Sequence, residues 1–480
     1  MSADSTLGKG ESGQLRRNTI GLPGVLFQSI TTMAPASGLA ASLTPAVALT
    51  GPALPLTAFI ALIVCIFLAL TIGSMAKHLP SAGGFYTYIS NALGQKVGWL
   101  TGWAFNLAYL LIIPFQLLVL GPTADQLVSQ YFHISLGWFT WVIIFTVILF
   151  LLSYFGIKVS ADAGVILGAI EIGVFVLLSI WLLVTNPGNI SLDILNPAHS
   201  GDPAWGGWKG ILMGMTFVLL AFAGFESSVP LAEETINPRR TVPRAILLAA
   251  VCIGLFYVFC SFAAMVGWGP ANAALYGSPD HADPWAEMAQ RAWGPASVII
   301  LLAILNSALA NANAGVNAVT RVLFAMGRVG TLPKSFAHLN KYGTPDVAFI
   351  LAMIVALVCS LVPGFVYGPS LAFGFLGTIL ILPIILIYML TCISVVVFYL
   401  RKHKDEFNVF RHVIVPVIPF LVLLVVLYNQ FNPLPAAPLL YAGPIVLAWL
   451  VIGVIILAIL SVKAPETLAK SDEVFVEGEE

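Results

Sequence analysis

The sequence contains few charged residues. Of its 480 residues, only 9% are Asp, Glu, Lys or Arg, whereas 59% are hydrophobic; an average soluble domain contains about 25% charged residues. A water-soluble chain could not hide this much apolar surface, because even large domains leave much of their surface in water. The apolar residues also form runs of about 18 or more, which is the length that crosses a bilayer. The composition excludes an ordinary soluble domain and predicts an all-α polytopic membrane protein.

Common motifs of catalysis and metal binding are also missing. The chain has no HExxH motif, no Gly-x-Ser-x-Gly motif, no paired aspartates in neighbouring apolar runs and no ATP-binding P-loop. We therefore expect no enzymatic activity, no cofactor and no firm metal site. All five cysteines lie in apolar runs without CxxC or metal-ligand spacing, and we interpret them as small buried hydrophobic residues: Cys65, Cys252, Cys260, Cys359 and Cys392.

Twelve apolar runs predict twelve membrane-spanning helices. They lie at about residues 20–46, 53–76, 97–120, 137–155, 160–184, 208–232, 245–268, 295–320, 346–364, 371–399, 412–429 and 439–462. With a cytoplasmic N-terminus, nineteen of the 21 Lys and Arg residues fall on the cytoplasmic side, and only Lys209 and Arg291 fall on the other. This asymmetry follows the positive-inside rule. We predict a multi-pass protein of the cell (plasma or inner) membrane with both termini in the cytoplasm.

The first and sixth predicted spans contain residues that interrupt a helix. In the first, Pro35 removes a backbone donor and Gly38 permits an unwound conformation. The sixth carries small residues and an acid, FAGFES (222–227), at the matching depth. Unwound backbone in a bilayer must line a cavity or pack in protein, and paired interruptions in two halves indicate a transporter site. The alternative is that both are ordinary proline kinks and small-residue packing contacts.

Several motifs resemble those of the amino acid–polyamine–organocation transporter superfamily. They are SAGGFYTY (81–88), GFES (224–227) followed by AEE (232–234) and NPRRTVPR (237–244), and RVLFAMGRVGTLP (321–333). The resemblance implies a LeuT-like fold with a 5+5 inverted repeat, two additional helices, and helices 1 and 6 broken at the membrane midplane. We place the first repeat at 19–184 and the second at 208–400, which together form the transport core 19–400. Helices 11 and 12 then occupy 401–462, between an N-terminal tail (1–18) and an acidic tail (463–480).

The same resemblance implies a function. We expect a secondary transporter of amino acids or related amines that works by alternating access and is coupled to protons. The alternatives are a sodium-coupled symporter, an amine or polyamine exchanger on the same fold, or a substrate sensor or channel. The expected partners are a small-molecule substrate and the lipid bilayer, with no nucleic acid, and the chain is expected to be a monomer or homodimer.

The substrate site implied by the resemblance lies between the two interruptions. Helix ends at the first interruption would hold a substrate carboxylate, and carbonyl groups at the second would hold its amino group, because a helix start attracts anions and free carbonyls attract cations. The Phe222 ring is expected to act as a lid, and Gln116 of the third span is expected to enter the pocket. The residues assigned to this site are Thr32, Ala36, Ser37, Gly38, Gln116, Phe222, Ala223 and Gly224.

Two acids are predicted to lie within the membrane. Glu171 falls near the middle of the fifth span, where a charged carboxylate costs about 2.5–3.5 kcal/mol. It could take up a proton, help to bind sodium together with Ser307, face a substrate amine, or be a protonated structural acid. Glu226 follows the second interruption and is either a proton-sensing acid or a charge that stabilises the local helix dipole. We assign Glu171, Glu226 and Ser307 to coupling by H⁺ or Na⁺.

Two further acids, Glu233 and Glu234, lie close to the cytoplasmic face in this scheme. Arg239 and Arg240 follow them within one short loop. We expect the two glutamates to form ion pairs of a gate or loop beside these arginines, rather than to contact the substrate.

Overall fold

The computed structural model describes residues 18–154, 161–200, 207–278, 281, 283–432 and 434–466, with only the backbone at 161–164. The remaining parts of the predicted N-terminal tail (1–17) and acidic tail (467–480) lie outside the described residues.

The described chain is helical, with one isolated β-bridge between Ile20 and Thr235. The α-helices, in chain order, are α1 (Leu22–Met33), α2 (Pro35–Ser37), α3 (Thr44–Thr50), α4 (Leu54–His78), α5 (Phe85–Leu93), α6 (Gln95–Phe132), α7 (Trp138–Tyr154), α8 (Ala161–Thr185), α9 (Trp208–Phe222), α10 (Pro238–Trp268), α11 (Pro284–Trp293), α12 (Val298–Val329), α13 (Asp346–Tyr367), α14 (Pro369–Lys402), α15 (Val415–Asn429) and α16 (Ala442–Lys463).

Within the described ranges, nine helical segments are long and apolar enough to cross a membrane. Each overlaps one of the predicted apolar runs. They are Thr44–His78, Gln95–Phe132, Val165–Thr185, Pro238–Trp268, Pro284–Val329, Asp346–Tyr367, Pro369–Lys402, Phe410–Asn429 and Leu439–Lys463. The shorter apolar helices α7 and α9 correspond to two further predicted spans, and α1 begins the first. These helices do not fix the number of spans, so the count of twelve stays a prediction.

Helix α6 lies at the centre of the bundle and α16 at its edge. In the most apolar part of each helix, 94% of α6 is buried inside the protein, compared with 17% of α16. The two helices are joined by a reciprocal contact: Trp103 Nε1 donates to the Trp449 carbonyl at 2.8 Å, and Trp449 Nε1 donates to the Trp103 carbonyl at 2.9 Å. Their rings stack with centroids 4.4 Å apart. The contact satisfies both indole N–H groups in an apolar environment.

The first predicted span is interrupted at Ala34. Helix α1 ends at Met33, Ala34 has a left-handed conformation (φ 49°), and Pro35 begins the next helical turn. A left-handed residue other than glycine costs about 1–2 kcal/mol, and such strain is concentrated at functional sites. A π-helical turn (Gly38–Ser42) then leads into α3. The backbone changes direction here while it stays inside the bundle.

A second interruption follows α9. The helix ends at Phe222, Ala223 is non-helical (φ −55°, ψ 133°), and Gly224 has φ +112°. Helical structure resumes as a 3₁₀ segment at Val229–Glu234. The intervening residues are buried, apart from the half-buried Ala223, so their backbone groups must find partners within the protein.

Candidate functional site

The two interruptions touch each other. A Cβ atom added to Gly224 would lie 2.8 Å from the backbone carbon and oxygen of Thr32, so only glycine permits this approach. Two hydroxyl pairs join the same segments: Ser227 Oγ donates to Thr32 Oγ1 at 2.7 Å, and Ser29 Oγ donates to Ser228 Oγ at 2.9 Å. Serine and threonine hydroxyls are the groups that join helices in an apolar medium. The unwound backbone of each segment therefore packs on the other.

A cavity lies beside this contact. Its volume, measured for the centre of a water molecule, is about 20 Å³, which is roughly the room that one water needs. The apolar part of its lining comes from Ile112, Phe115, Leu220, Leu380 and Ile384. The other lining residues are Thr32, Met33, Ala34, Gly38, Ser42, Tyr109, Gln116, Ala221, Ala223, Gly224, Glu226 and Asn311. No lysine or arginine is among them.

Six of the predicted site residues line this cavity: Thr32, Gly38, Gln116, Ala223, Gly224 and Glu226. Ser37 does not line it, but its Oγ contacts Gln116 Oε1 at 3.4 Å. Ala36 is directed elsewhere and donates its backbone N–H to Ser307 Oγ at 3.2 Å. Phe222 is fully buried outside the lining. Its ring packs edge-on against Tyr257, with centroids 5.4 Å apart, which differs from the lid position expected from the sequence.

The hydroxyl group of Tyr257 contacts the backbone at both interruptions. Its hydroxyl oxygen lies 2.6 Å from the carbonyl oxygen of Met33 and 3.1 Å from that of Ala221, so its single hydrogen can be donated to either. These carbonyls belong to the last turns of α1 and α9, where a helix leaves its carbonyls without partners. A Cβ atom on Gly38 would lie 2.4 Å from the same hydroxyl. Sequence reasoning missed Tyr257; the available signal was a tyrosine in an apolar helix, whose hydroxyl needs a partner when buried.

Glu226 is fully buried at the wall of the cavity. Tyr109 donates its hydroxyl to Oε1 at 2.8 Å, and the backbone N–H of Gly224 donates to Oε2 at 3.0 Å. The Tyr388 hydroxyl is close to the same carboxyl group. Phenolic and backbone donors of this kind stabilise a carboxylate far from solvent. Glu226 thus links the second interruption to α6 and α14.

Glu171 lies in a separate cluster between α8, α12 and the first interruption. Asn306 Nδ2 donates to Glu171 Oε2 at 2.7 Å, and Ser307 Oγ donates to Oε1 at 3.2 Å. Ser307 also accepts the N–H of Ala36, so the acid is connected to the unwound backbone through one hydroxyl. The side chain is 4% exposed. The predicted pair Glu171 and Ser307 is therefore in direct contact, and Asn306 is an additional partner.

Comparison with known proteins identifies the family. The model of the family described as amino acid permease matches residues 24–469. The chain belongs to the amino acid permease family. The superfamily predicted from the three motifs is thereby confirmed, and the chain is a multi-span membrane protein.

Several relatives of this permease are characterised. It is 26% identical to the branched-chain amino acid permease BcaP of Lactococcus lactis subsp. cremoris, over 85% of this chain and 86% of that protein. It is 28% identical to BcaP of Bacillus subtilis, over 85% of both chains. The low-affinity putrescine importer PlaP of Escherichia coli is 27% identical, over 65% of this chain and 67% of that protein.

The fold of the permease is similar to that of a solved transporter. A crystal structure of the Eremococcus coleocola manganese transporter, in complex with an aromatic bis-isothiourea substituted compound, has a TM-score of 0.51 and 13% sequence identity. The match covers 93% of this chain and 95% of the other. At this identity the likeness concerns the fold alone.

Two ion pairs join the segment after the second interruption to α12. Arg321 Nε lies 2.6 Å from Glu234 Oε1, and Arg328 Nη2 lies 3.2 Å from Glu233 Oε1. Glu233 Oε1 also accepts the N–H of Ala82 at 2.9 Å. The expected ion pairs of Glu233 and Glu234 are present, but their partners are arginines of α12 rather than the neighbouring Arg239 and Arg240. The pairs join residues that the charge pattern assigns to the cytoplasmic side.

Replacing Gly224 with alanine tests the contact between the interruptions. We expect Gly224→Ala to lower the stability by about 1–3 kcal/mol, because the new methyl group meets the Thr32 backbone and φ is unfavourable for alanine. Thermal unfolding of the purified protein measures the loss, and substrate uptake measures its effect on transport. Gly374→Ala is the control, since nothing lies within 4 Å of its added Cβ. Equal stability of the two variants would contradict the contact.

Removing the Tyr257 hydroxyl tests its hold on the two helix ends. Tyr257→Phe keeps the ring against Phe222 but leaves two buried carbonyls without their donor, which costs about 1–3 kcal/mol. We expect a lower melting temperature and an altered KM for the transported substrate, because both carbonyls border the cavity. A variant with wild-type melting temperature and transport kinetics would show that the hydroxyl has no such role.

Proposed function

We propose that this protein is a secondary active transporter that carries an aliphatic amino acid across the cell membrane by alternating access and is driven by protons. The observation that carries the proposal is the cavity at the meeting point of the two helix interruptions, in a chain of the amino acid permease family. In such a site, unwound backbone replaces part of the hydration shell that the substrate loses.

The proposal includes the predicted membrane arrangement. Twelve spans, with both termini in the cytoplasm, would form a 5+5 inverted repeat followed by two helices, and the two interruptions would lie at equivalent positions of the repeats. The left-handed Ala34 and the positive φ of Gly224 support this equivalence. The contacts of Arg321 and Arg328 with Glu234 and Glu233 would then close the cytoplasmic side.

The ends of the broken helices suit the two charged groups of an amino acid. The helical turn that begins at Pro35 presents the positive end of its dipole and would attract the carboxylate. The carbonyls at the end of α9, at Ala221 and Ala223, form the negative end of that helix and would attract the amino group. Ala34 and Gly38, on either side of this turn, and Ala221 and Ala223 border the cavity, whereas Pro35, Ala36 and Ser37 are outside its lining.

The apolar side chains that line the cavity favour an aliphatic substrate. Ile112, Phe115, Leu220, Leu380 and Ile384 offer apolar surface, and burying apolar substrate atoms there contributes about 25 cal/mol per Å². The two BcaP proteins, which match 85% of this chain, are branched-chain amino acid permeases. We therefore place leucine, isoleucine and valine first among the candidate substrates.

Glu226 favours a second candidate, an amine such as putrescine. Its carboxyl group borders a cavity that has no lysine or arginine in its lining, so a cationic substrate would find one acidic partner there. PlaP, which matches 65% of this chain, is a putrescine importer. The weakness of this alternative is that Tyr109 and the Gly224 N–H already satisfy the carboxyl group.

Uptake by purified protein in proteoliposomes distinguishes the two substrates. We expect radiolabelled leucine to accumulate when an inward proton gradient is imposed, and excess isoleucine and valine to compete with it while putrescine does not. Accumulation of putrescine without leucine uptake would favour the amine transporter. If no amino acid or amine is taken up by protein that unfolds cooperatively, the transport proposal fails.

Glu171 is the proposed coupling residue. Its carboxyl group contacts Ser307 and, through that hydroxyl, the backbone at the first interruption, so a change in its charge would alter the packing of the substrate-binding segment. The exchangeable ion is either a proton on this carboxyl group or a sodium ion held by carboxylate and hydroxyl oxygens. We favour the proton because the side chain is only 4% exposed, a charged carboxylate within a membrane span costs about 2.5–3.5 kcal/mol, and a proton removes this charge without further ligands.

The variant Glu171→Gln tests the coupling. We expect it to keep leucine exchange but to lose accumulation driven by a proton gradient, because an amide cannot take up the proton. Glu287→Gln, which changes an acid of the loop helix α11, is the matched control and should retain both activities. If uptake by the wild type depends on sodium and uptake by Glu171→Gln does not, the coupling ion is sodium instead of a proton. Unchanged gradient-driven uptake would leave Glu171 a structural residue.

A further inference from the structure

Three metal-ligating side chains meet at the end of the molecule that the charge pattern assigns to the cytoplasm. His78 is the last residue of α4, His403 follows the last residue of α14, and Glu406 lies in the loop before α15. One ligand atom from each of the three lies within 4.8 Å of the others. His403 and Glu406 are three residues apart, and helix packing brings the distant His78 to them.

The two histidines have the geometry of a shared site. Their ring centroids are 4.1 Å apart, with an interplanar angle of 36°. Nε2 of His78 is buried and makes no hydrogen bond to the described residues. Glu406 Oε2, the nearest charged oxygen, is 3.6 Å from it, which is too long for a hydrogen bond. A buried imidazole nitrogen without a partner is uncommon and is available to a ligand.

We propose that His78, His403 and Glu406 bind a divalent transition-metal ion such as Zn²⁺. Two imidazoles and one carboxylate are a ligand set that zinc accepts, with a water completing the tetrahedron. Sodium, magnesium and calcium prefer oxygen ligands, so the two imidazoles select against them. Nitrogen and oxygen ligands of one tetrahedral zinc ion lie about 3.3–3.5 Å apart. Side-chain rotation therefore has to close the cluster by up to about 1.5 Å.

The charged neighbours of the cluster do not prevent binding. Lys77 Nζ lies 2.6 Å from Glu406 Oε2, but the two side chains are 54% and 39% exposed, and an exposed ion pair of this kind contributes little stability. Arg239 is a second cation near His78. His412 is already engaged, because its Nδ1 accepts the N–H of Asn408 at 3.0 Å. Among the described residues, the ligand atoms that converge are those of His78, His403 and Glu406.

A metal ion at this position would add a cross-link between segments that already pack on each other. It would connect the end of α4 to the loop between α14 and α15, beside the ring contacts of His78 with Phe398 and Tyr399 and the exposed pair Lys77–Glu406. Metal–ligand bonds lower the free energy of the native state. Binding should therefore raise the melting temperature of the protein, whatever substrate it carries.

Titration with zinc chloride tests the site directly. The full chain, purified without a histidine tag, is titrated with ZnCl₂ by isothermal calorimetry and then heated in the presence of the metal. We expect one zinc ion per chain and a higher melting temperature, and no effect of MgCl₂. His403→Gln and Glu406→Gln should each weaken zinc binding at least about tenfold, while both variants unfold like the wild type without metal.

His338→Gln is the matched control. His338 Nδ1 lies 2.9 Å from Asp346 Oδ1. This pair has one imidazole and one carboxylate, whereas the proposed zinc site has two imidazoles and one carboxylate. Removing the His338 imidazole should therefore leave zinc binding unchanged. X-ray absorption at the zinc edge should show nitrogen and oxygen ligands. Absence of zinc binding by the wild type, sulfur in the coordination shell, or equal affinity of the wild type and His403→Gln would each overturn the proposal.

Discussion

The close approach of Gly224 to the backbone of Thr32 determines the arrangement of the rest of the site. Both segments have left the helical conformation, and in an apolar interior every unpaired backbone group must find a partner. The hydroxyl of Ser227 contacts the carbonyl of Gln28 across the contact, the hydroxyl of Tyr257 contacts the carbonyl of Met33, and Glu226 accepts the N–H of Gly224 within its own segment. The cavity is the space left where side chains cannot fill the junction. Its position follows from the contact, and its apolar wall comes from the neighbouring helices.

The two buried acids, Glu171 and Glu226, have different environments and therefore contact different parts of the site. Glu226 is held by a phenol and a backbone N–H at the cavity wall, where it can influence a bound solute directly. Glu171 is outside the lining and is held by an amide and a hydroxyl. Its hydrogen bonds connect it to Ala36 through Ser307. A protein that must respond to both a solute and an ion needs two such sites in mechanical contact, since an ion shifts an equilibrium only by its differential affinity for the two states.

The features that could be predicted from the sequence are those that depend on local chemistry. Pro35 and Gly224 indicate where a helix cannot continue, and long apolar runs indicate spans. Contacts between distant segments could not be predicted in the same way. The packing of Phe222 against Tyr257, rather than over the cavity, depends on the rotation of α9 relative to α10. The pairing of Glu233 and Glu234 with α12, instead of with Arg239 and Arg240, depends on how the segment after the second interruption folds back. A short sequence motif specifies neither the rotation of α9 nor the path of the segment that follows it.

The reciprocal contact between Trp103 and Trp449 has a consequence for how the sequence can change during evolution. Each indole donates to a backbone carbonyl, and the stacked rings leave no room for a larger residue at Gly453, where an added Cβ would lie 2.5 Å from the Trp103 ring. Helix α16 is thus attached to the central helix at Trp449 and Gly453, and it also buries Ala442, Val446 and Leu457. Residues such as Leu447, Val451 and Val454 face outward and need only to be apolar. Substitutions there can match the helix to membranes of different thickness or lipid content, and the centre of the bundle is not disturbed.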